Sequence, residues 1–403
     1  VHVLVAASGG AVSRFDALVA ASGTDGAWRE VTAPGARVRV GIVGRNVVAA
    51  TARDGRAVAV LGSEVFAAGS AIAGNVLDRF AHAPHTMLDG LGDDLVAVGA
   101  DEAAGTLTLA AGAGNHRLFT AEVDGGVLVA SHLAPLAAAL GDDLAVDRSY
   151  EDFLLGFGFL PDGRTVYADV RALGAGAVRV VPGDAHGRVQ AASESVDVDV
   201  TDRSAVRKAL HEAFLSALEA QAGARRRHAV LLGGFDSALV AAGLRRLGHD
   251  VDCYTFGFDD PTYEQRNAEL TASSIGARHE WVRFTPAVVG DLLGRFDELI
   301  NQPGAQPHYQ LHTVHASNVI AADGHSHIFN GDGCDAVFLG YPTVNQRARL
   351  VARLGSVPAP VQHAVFGVLG RPAVERRLGH VARLGRSFLG GLGLSPDARG
   401  HLA

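Results

Sequence analysis

Val230-Leu231-Leu232-Gly233-Gly234-Phe235-Asp236-Ser237 changes character within a few residues. An apolar run ends in two glycines, and an acid and a hydroxyl then open a helical pattern. Glycines let a backbone approach a ligand closely, and a helix start offers free N–H groups at the positive end of its dipole. Such a strand–bend–helix suits phosphate. Asp236 suits Mg2+ that would neutralise a polyphosphate, and the Ser237 hydroxyl can donate to a phosphate oxygen. The same letters also suit a plain strand-to-helix turn with Gly-Gly as its bend, since short glycine motifs are common. The stretch is neither a G-K-[ST] loop nor G-x-G-x-x-G.

Working outward, strands and helices alternate. A strand over 228–231 leads into a helix over 237–247, with Gly248 suited to the residue after its cap. Strands follow over 251–256, 279–284 and 327–330, with helices over 263–275, 286–300 and 308–322. A helix over 204–220, with Asp202 or Ser204 near its start, precedes them. This order predicts a doubly wound parallel sheet with helices on both faces. Ligands of such sheets sit at the carboxyl ends of strands. Three segments should converge there: the glycine loop, Cys253-Tyr254-Thr255-Phe256-Gly257-Phe258 with Asp259, Asp260 and Glu264 after it, and Asn330-Gly331-Asp332-Gly333-Cys334-Asp335, which runs on to Tyr341.

The first half reads differently. Short apolar runs at 1–6, 38–43, 57–61, 95–98, 106–109 and 127–130 are separated mostly by Gly, Asp or Asn, as hairpins require. Helical patterns appear at 71–80, 134–140 and 150–157. Antiparallel sheet with some helix is expected, and a texture change at 195–203 places the domain boundary, giving 1–198 and 199–403. The 403 residues fit two domains, and 48% hydrophobic content supplies full cores. A net charge of −8 with no basic block argues against nucleic acid. No apolar run is long enough to span a membrane. Two cysteines, Cys253 and Cys334, form no C-x-x-C pair, which fits a reducing cytoplasm. Lys208 is the one lysine, so chemistry needing an amine side chain has no other source.

The three ordered segments resemble the asparagine synthetase family of ATP pyrophosphatases, whose motifs run S-G-G-x-D-S, T-x-G-F with acids, and S-G-x-G-x-D-E-x-x-G-G-Y. Leu160-Pro161-Asp162-Gly163-Arg164-Thr165-Val166-Tyr167, then Leu173 and Gly176, is similar to its inter-domain segment, and 127–140 to a strand and helix of its glutaminase domain. The resemblance implies an N-terminal Ntn-hydrolase-like αββα sandwich and a C-terminal ATP-pyrophosphatase domain. It also implies ATP and Mg2+: a carboxylate takes AMP, pyrophosphate leaves, and an amine displaces AMP. On this chain Leu231, Gly233, Gly234, Asp236, Ser237, Phe256, Gly257 and Gly331 would line the ATP and pyrophosphate site. Asp236 and Asp335 would hold metal, and Asp332 would act as the base beside the amine. Asp332 also suits a plain turn residue, and Asp335 a helix cap.

Several positions depart from the family pattern. No cysteine stands near the start, where the family's glutaminase nucleophile lies, so glutamine hydrolysis is not expected. That feature resembles β-lactam synthetases and lasso-peptide cyclases, whose amine belongs to the substrate. The expected partner is then a small molecule or peptide bearing carboxylate and amine, with a homodimer or a precursor-processing protein as further partners. Leu232 replaces the loop's first serine, and Ala336 an acid. Asn301-Gln302-Pro303 and Gln306 stand where acids are common. The lysine often found after the last motif is absent; the tail of about 60 residues beyond Tyr341 is rich in arginine, such as Arg347 and Arg353, and is short for a full synthetase domain. Those arginines suit a solvated helix face. His308, His312 and His315 share a helix face better read as polar lining than as zinc ligands. A catalytically degenerate binding subunit and an ammonia-dependent asparagine synthetase are the alternatives to an amide-forming ligase.

Overall fold

A computed structural model describes residues 3–22, 28–33, 35–43, 48–63, 65, 69, 71–91, 94–112, 114, 116–147, 149–150, 160, 163–181, 186–188, 201–258, 263–296, 307–338 and 340. The expected boundary near 198 and the expected helix over 150–157 fall largely or wholly outside them, as do 301–306 and the arginine-rich tail. By contact density the chain divides into Val1–Asn330 and Gly331–Ala403.

The first unit opens with two six-stranded sheets. One comprises β1 (Val3–Ser8), β2 (Arg29–Glu30), β3 (Val38–Val43), β8 (Phe119–Val123), β9 (Gly126–Ala130) and β10 (Val170–Ala172), in the order β10-β8-β9-β1-β3-β2. The other comprises β4 (Val48–Arg53), β5 (Arg56–Gly62), β6 (Leu95–Asp101), β7 (Thr106–Ala111), β11 (Ala177–Val181) and β12 (His186–Arg188), in the order β12-β11-β7-β6-β5-β4. All the pairings are antiparallel.

Side chains alternate across a strand, so a strand covered on both faces reads as one continuous apolar run. In β1, Leu4 and Ala6 enter a core shared with Ala59, Val98 and Leu109 of the other sheet. Val3, Val5 and Ala7 face the opposite way, against α1 (Phe15–Ala21) and α3 (Leu133–Leu140). On the other sheet Val58 and Val60 turn outward to Ile72, Val76 and Phe80 of α2 (Ala71–His82). The layers therefore run helix, sheet, sheet, helix. Two tight hairpins are made as the glycine signals require: Asp54-Gly55 joins β4 to β5 and Asp124-Gly125 joins β8 to β9, each with positive φ at both residues.

After α4 (Arg203–Ala222), capped by the Asp202 carboxylate at 2.8 Å from the Ser204 amide, the chain builds a parallel sheet. Its strands β13 (Arg227–Leu231), β14 (Asp250–Gly257), β15 (Arg278–Arg283) and β16 (Ile328–Phe329) lie in the order β15-β14-β13-β16. Val230 and Leu232 pack under α5 (Phe235–Arg246) and α6 (Tyr263–Ser274), with Leu218 of α4. Ala229 and Leu231 pack under α8 (Pro307–Ala322), whose neighbour is α7 (Pro286–Gly294). Helices thus cover both faces, as the alternation predicts. The order reverses between β13 and β16, a switch point at which two strand ends part and leave a crevice.

The returns from α5, α6 and α8 into the strands that follow them end alike. Gly248 takes φ +85°, its amide reaches the Arg245 carbonyl at 3.0 Å, and the His249 amide reaches Leu244 at 3.0 Å. Gly276 and Gly324 close α6 and α8 with the same pair of bonds. A side chain at a left-handed position costs about 1–2 kcal/mol. Gly248→Ala should therefore lower unfolding stability by about that amount, read as a shift in the urea midpoint at unchanged slope.

Candidate nucleotide site at the carboxyl edge of the parallel sheet

β13 ends at the switch point and the chain turns directly into α5. The ladder with β14 persists to the last moment, since the Leu232 amide reaches the Tyr254 carbonyl at 2.7 Å. Leu231 and Leu232 are both buried and belong to opposite cores. The Leu232 side chain therefore fills the α5 core, which gives a packing reason for an apolar residue there. Gly234 is the residue before α5 and supplies no side-chain cap. The opening amides of α5 are left to an outside acceptor.

The two glycines are not demanded by the chain. Neither has a left-handed φ, and at neither would a Cβ meet a described atom within 4 Å. Asp236, in the first turn of α5, is partly buried and makes no hydrogen bond or ion pair among the described residues. Ser237 is engaged within the loop: its hydroxyl donates to the Gly234 carbonyl at 3.1 Å and accepts from the Gly233 amide at 3.0 Å. It spans the bend; for the hydroxyl to donate to a phosphate, that proton would have to turn outward.

The neighbouring strand end is shaped by aromatic rings. Gly257 is crowded: a Cβ there would lie 2.3 Å from the Trp281 ring. Internal packing thus accounts for this glycine, unlike Gly233 and Gly234. Phe256 and the half-exposed Phe258 flank the His312 imidazole, with ring centres 5.0 and 5.9 Å away, and Phe284 lies 4.2 Å from it. His315 packs on Phe284 and its Nε2 lies 3.2 Å from the Arg283 carbonyl. His312 and His315 thus pack in an aromatic cluster at the carboxyl edge rather than on a purely polar face. Arg283, missed by motif reading, ends β15 opposite Gly257 with its side chain exposed. Its signal was positional, as the last residue of a strand whose neighbours end in site candidates. Cys253 is buried within β14, and burial beside Asp252 pushes its thiol up to about 12, so it is inert.

Gly331, Asp332 and Asp335 belong to the second unit and are described there. Gly333 takes φ +90° in the turn that enters the short helix α9 (Cys334–Phe338). Asp332 is exposed in that turn, and Asp335 lies inside the first turn of the helix rather than before it. Asp259 and Asp260 lie outside the described residues.

The glycine loop, Asp236 and the switch point occupy one sheet edge, and the sequence around them matches a known family.

Residues 209–390 match the asparagine synthase family model.

The match covers under half of the 403 residues. No curated protein matches the chain. Among solved structures, NMN synthetase from Francisella tularensis is similar at 18% identity and a TM-score of 0.20, over 22% of this chain and 40% of that one. A predicted subunit of tRNA methyltransferase from Methanocaldococcus jannaschii is similar at 26% identity and a TM-score of 0.20, over 27% of this chain and 52% of that one. The chain spans about half or less of each of these structures. Among the described residues no helix is long and apolar enough to cross a membrane.

Ser237→Ala would remove both loop bonds at once. We expect faster exchange of the Gly233 amide and a stability loss of about 1 kcal/mol, measured by hydrogen exchange and urea unfolding.

Proposed function

We propose that the chain is an ATP-dependent carbon–nitrogen ligase that transfers AMP to a substrate carboxylate and closes an amide with a substrate amine. One observation carries this reading. Gly233 and Gly234 stand at the switch point where neither conformation nor internal packing asks for glycine. A group that is not part of the chain and must approach the backbone closely does ask for it, and an uncapped helix start makes that group an anion. Asp236, partly buried and without a partner among the described residues, would repel an anion at the same amides unless a cation came with it. Mg2+ bound to polyphosphate satisfies both demands, with Asp236 as the ligand from this unit. The asparagine synthase match over 209–390 supports the same chemistry.

In this reading the uncapped amides of α5 hold the leaving pyrophosphate, and Leu231 and Phe256 border the nucleotide. A substrate carboxylate oxygen attacks the α-phosphorus, the bond to pyrophosphate breaks, and an acyl adenylate forms. The amine nitrogen then attacks the acyl carbon, AMP leaves with the carbon–oxygen bond electrons, and the amine gives up a proton. Asp332 as its acceptor and Asp335 as a further metal ligand rest on the motif resemblance. Arg283 is an arginine available for the charge role that the family often gives to lysine. The four-layer N-terminal region fits the Ntn-type glutaminase architecture, and an amine carried by the substrate itself, as in natural-product cyclisation, is the proposed use of the site. A cytoplasmic location and a peptide or small-molecule precursor complete the proposal.

The test is ATP–Mg2+ binding by calorimetry and carboxylate-dependent pyrophosphate release. Asp236→Ala should weaken ATP–Mg2+ binding at least tenfold and abolish release. Gly234→Val should do the same, with the urea midpoint changing little because its side chain enters open space. A chain that binds no ATP and releases no pyrophosphate with any carboxylate would be a binding subunit instead. Glutamine-dependent glutamate production would identify free ammonia as the amine.

A further inference from the structure

The opposite, amino-terminal end of the same sheet holds a chain of imidazoles, two buried and one partly exposed, that the ligase reading does not use. His228, fully buried at the start of β13, lies with Nδ1 2.6 Å from His327 Nε2 and Nε2 3.0 Å from His249 Nδ1. His249 Nδ1 also lies 3.0 Å from the Arg225 carbonyl. His249 precedes β14 and His327 precedes β16, so the rings tie together the three strands at the switch point.

The carbonyl sets the direction of the whole chain, because it can only accept. The carbonyl lies against both His249 and His228; served from His249, it places a hydrogen on Nδ1 that is shared with the bare Nε2 of His228. His228 then carries its hydrogen on Nδ1 and donates to the bare Nε2 of His327. Every ring is neutral in this arrangement. A second proton on His228 would set two N–H groups head-on against His249. A proton on His327 Nε2 would do the same against His228, and shifting the His228 hydrogen only moves the clash.

We propose that this imidazole chain is an acid-sensitive latch: proton uptake breaks it and releases the amino-terminal ends of β13, β14 and β16 from one another. The Arg225 carbonyl favours a proton on His228, but the ionised side chains described nearby are cationic or already paired. Arg225 precedes β13 and Arg227 opens it, and Arg245 of α5 binds the His249 carbonyl and Asp250. Asp252 is occupied by His325 at 2.9 Å and Arg227 at 2.7 Å. Asp323, at the end of α8, is held by Tyr254 and Arg278. The Phe329 ring packs on His228 and His327. Burial and the neighbouring imidazoles push His228 and His327 down to about 4, from an ordinary value of 6.5. The unfolded chain therefore binds more protons than the folded one between about pH 6.5 and 4. The latch stabilises fully above that window and is lost as pH falls through it.

The experiment is urea unfolding of the full chain from pH 7.5 to 4.5. With two protons taken up on opening, the unfolding constant should rise by up to about 100-fold per pH unit below pH 6. In His327→Gln the rise should fall to about 10-fold. An equal slope in both proteins overturns the latch. Should the variant not fold, nitrogen NMR of wild-type imidazoles decides. Hydrogens on His249 Nδ1 and His228 Nδ1, with no titration of His228 or His327 near pH 6.5 in the folded state, support the proposal. An ordinary titration of His228 in the folded protein overturns it. Neither readout depends on nucleotide binding.

Discussion

β13 is hydrogen-bonded along both edges and covered on both faces, so only its two ends are available for anything other than packing. That constraint organises the C-terminal half of the first unit. Burying a strand so completely requires every backbone group to find a partner in the ladder, and β14 and β16 supply them. The side chains of the strand are divided between two cores, which prevents a one-residue slip without moving Val230 and Leu232 into the wrong layer. A strand locked in this way delivers its terminal residues to fixed points: a glycine bend at one end, an imidazole at the other.

Much of this architecture was legible beforehand. Alternating strand and helix patterns from 204 onward specify a parallel sheet, and Gly248 follows its helix where left-handed φ is needed. The N-terminal hairpins were announced by Gly, Asp and Asn between the apolar runs. The layering of that half was harder to see, since residues of opposite orientation in Val3–Ala7 are all apolar when both faces are covered. The helix Phe15–Ala21 escaped notice because seven residues show too little of a 3.6-residue period.

Local motifs located the glycine loop but could not say which glycine serves which purpose. Gly257 and Gly233 look equivalent as letters, yet one is crowded by Trp281 and the other stands clear. Likewise Ser237 reads as a phosphate donor until its bonds across the bend are known, and Leu232 reads as a lost donor until its buried position is known. The histidine chain was invisible for a different reason. Its members are separated by 21 and 99 residues, and only the parallel register brings them together.

The glycine at 257 is half of a pattern that recurs in the antiparallel region, where the Trp28 ring lies over Gly41 on β3. These are the chain's only two tryptophans. One indole rests on the N-terminal sheets and the other on the edge beside the glycine loop, each seated on a bare patch of backbone. The intrinsic fluorescence of the protein is thus already divided by region. With Trp28 replaced by phenylalanine, the remaining tryptophan emission would belong to the sheet edge alone, making an unlabelled optical probe of whatever settles against it.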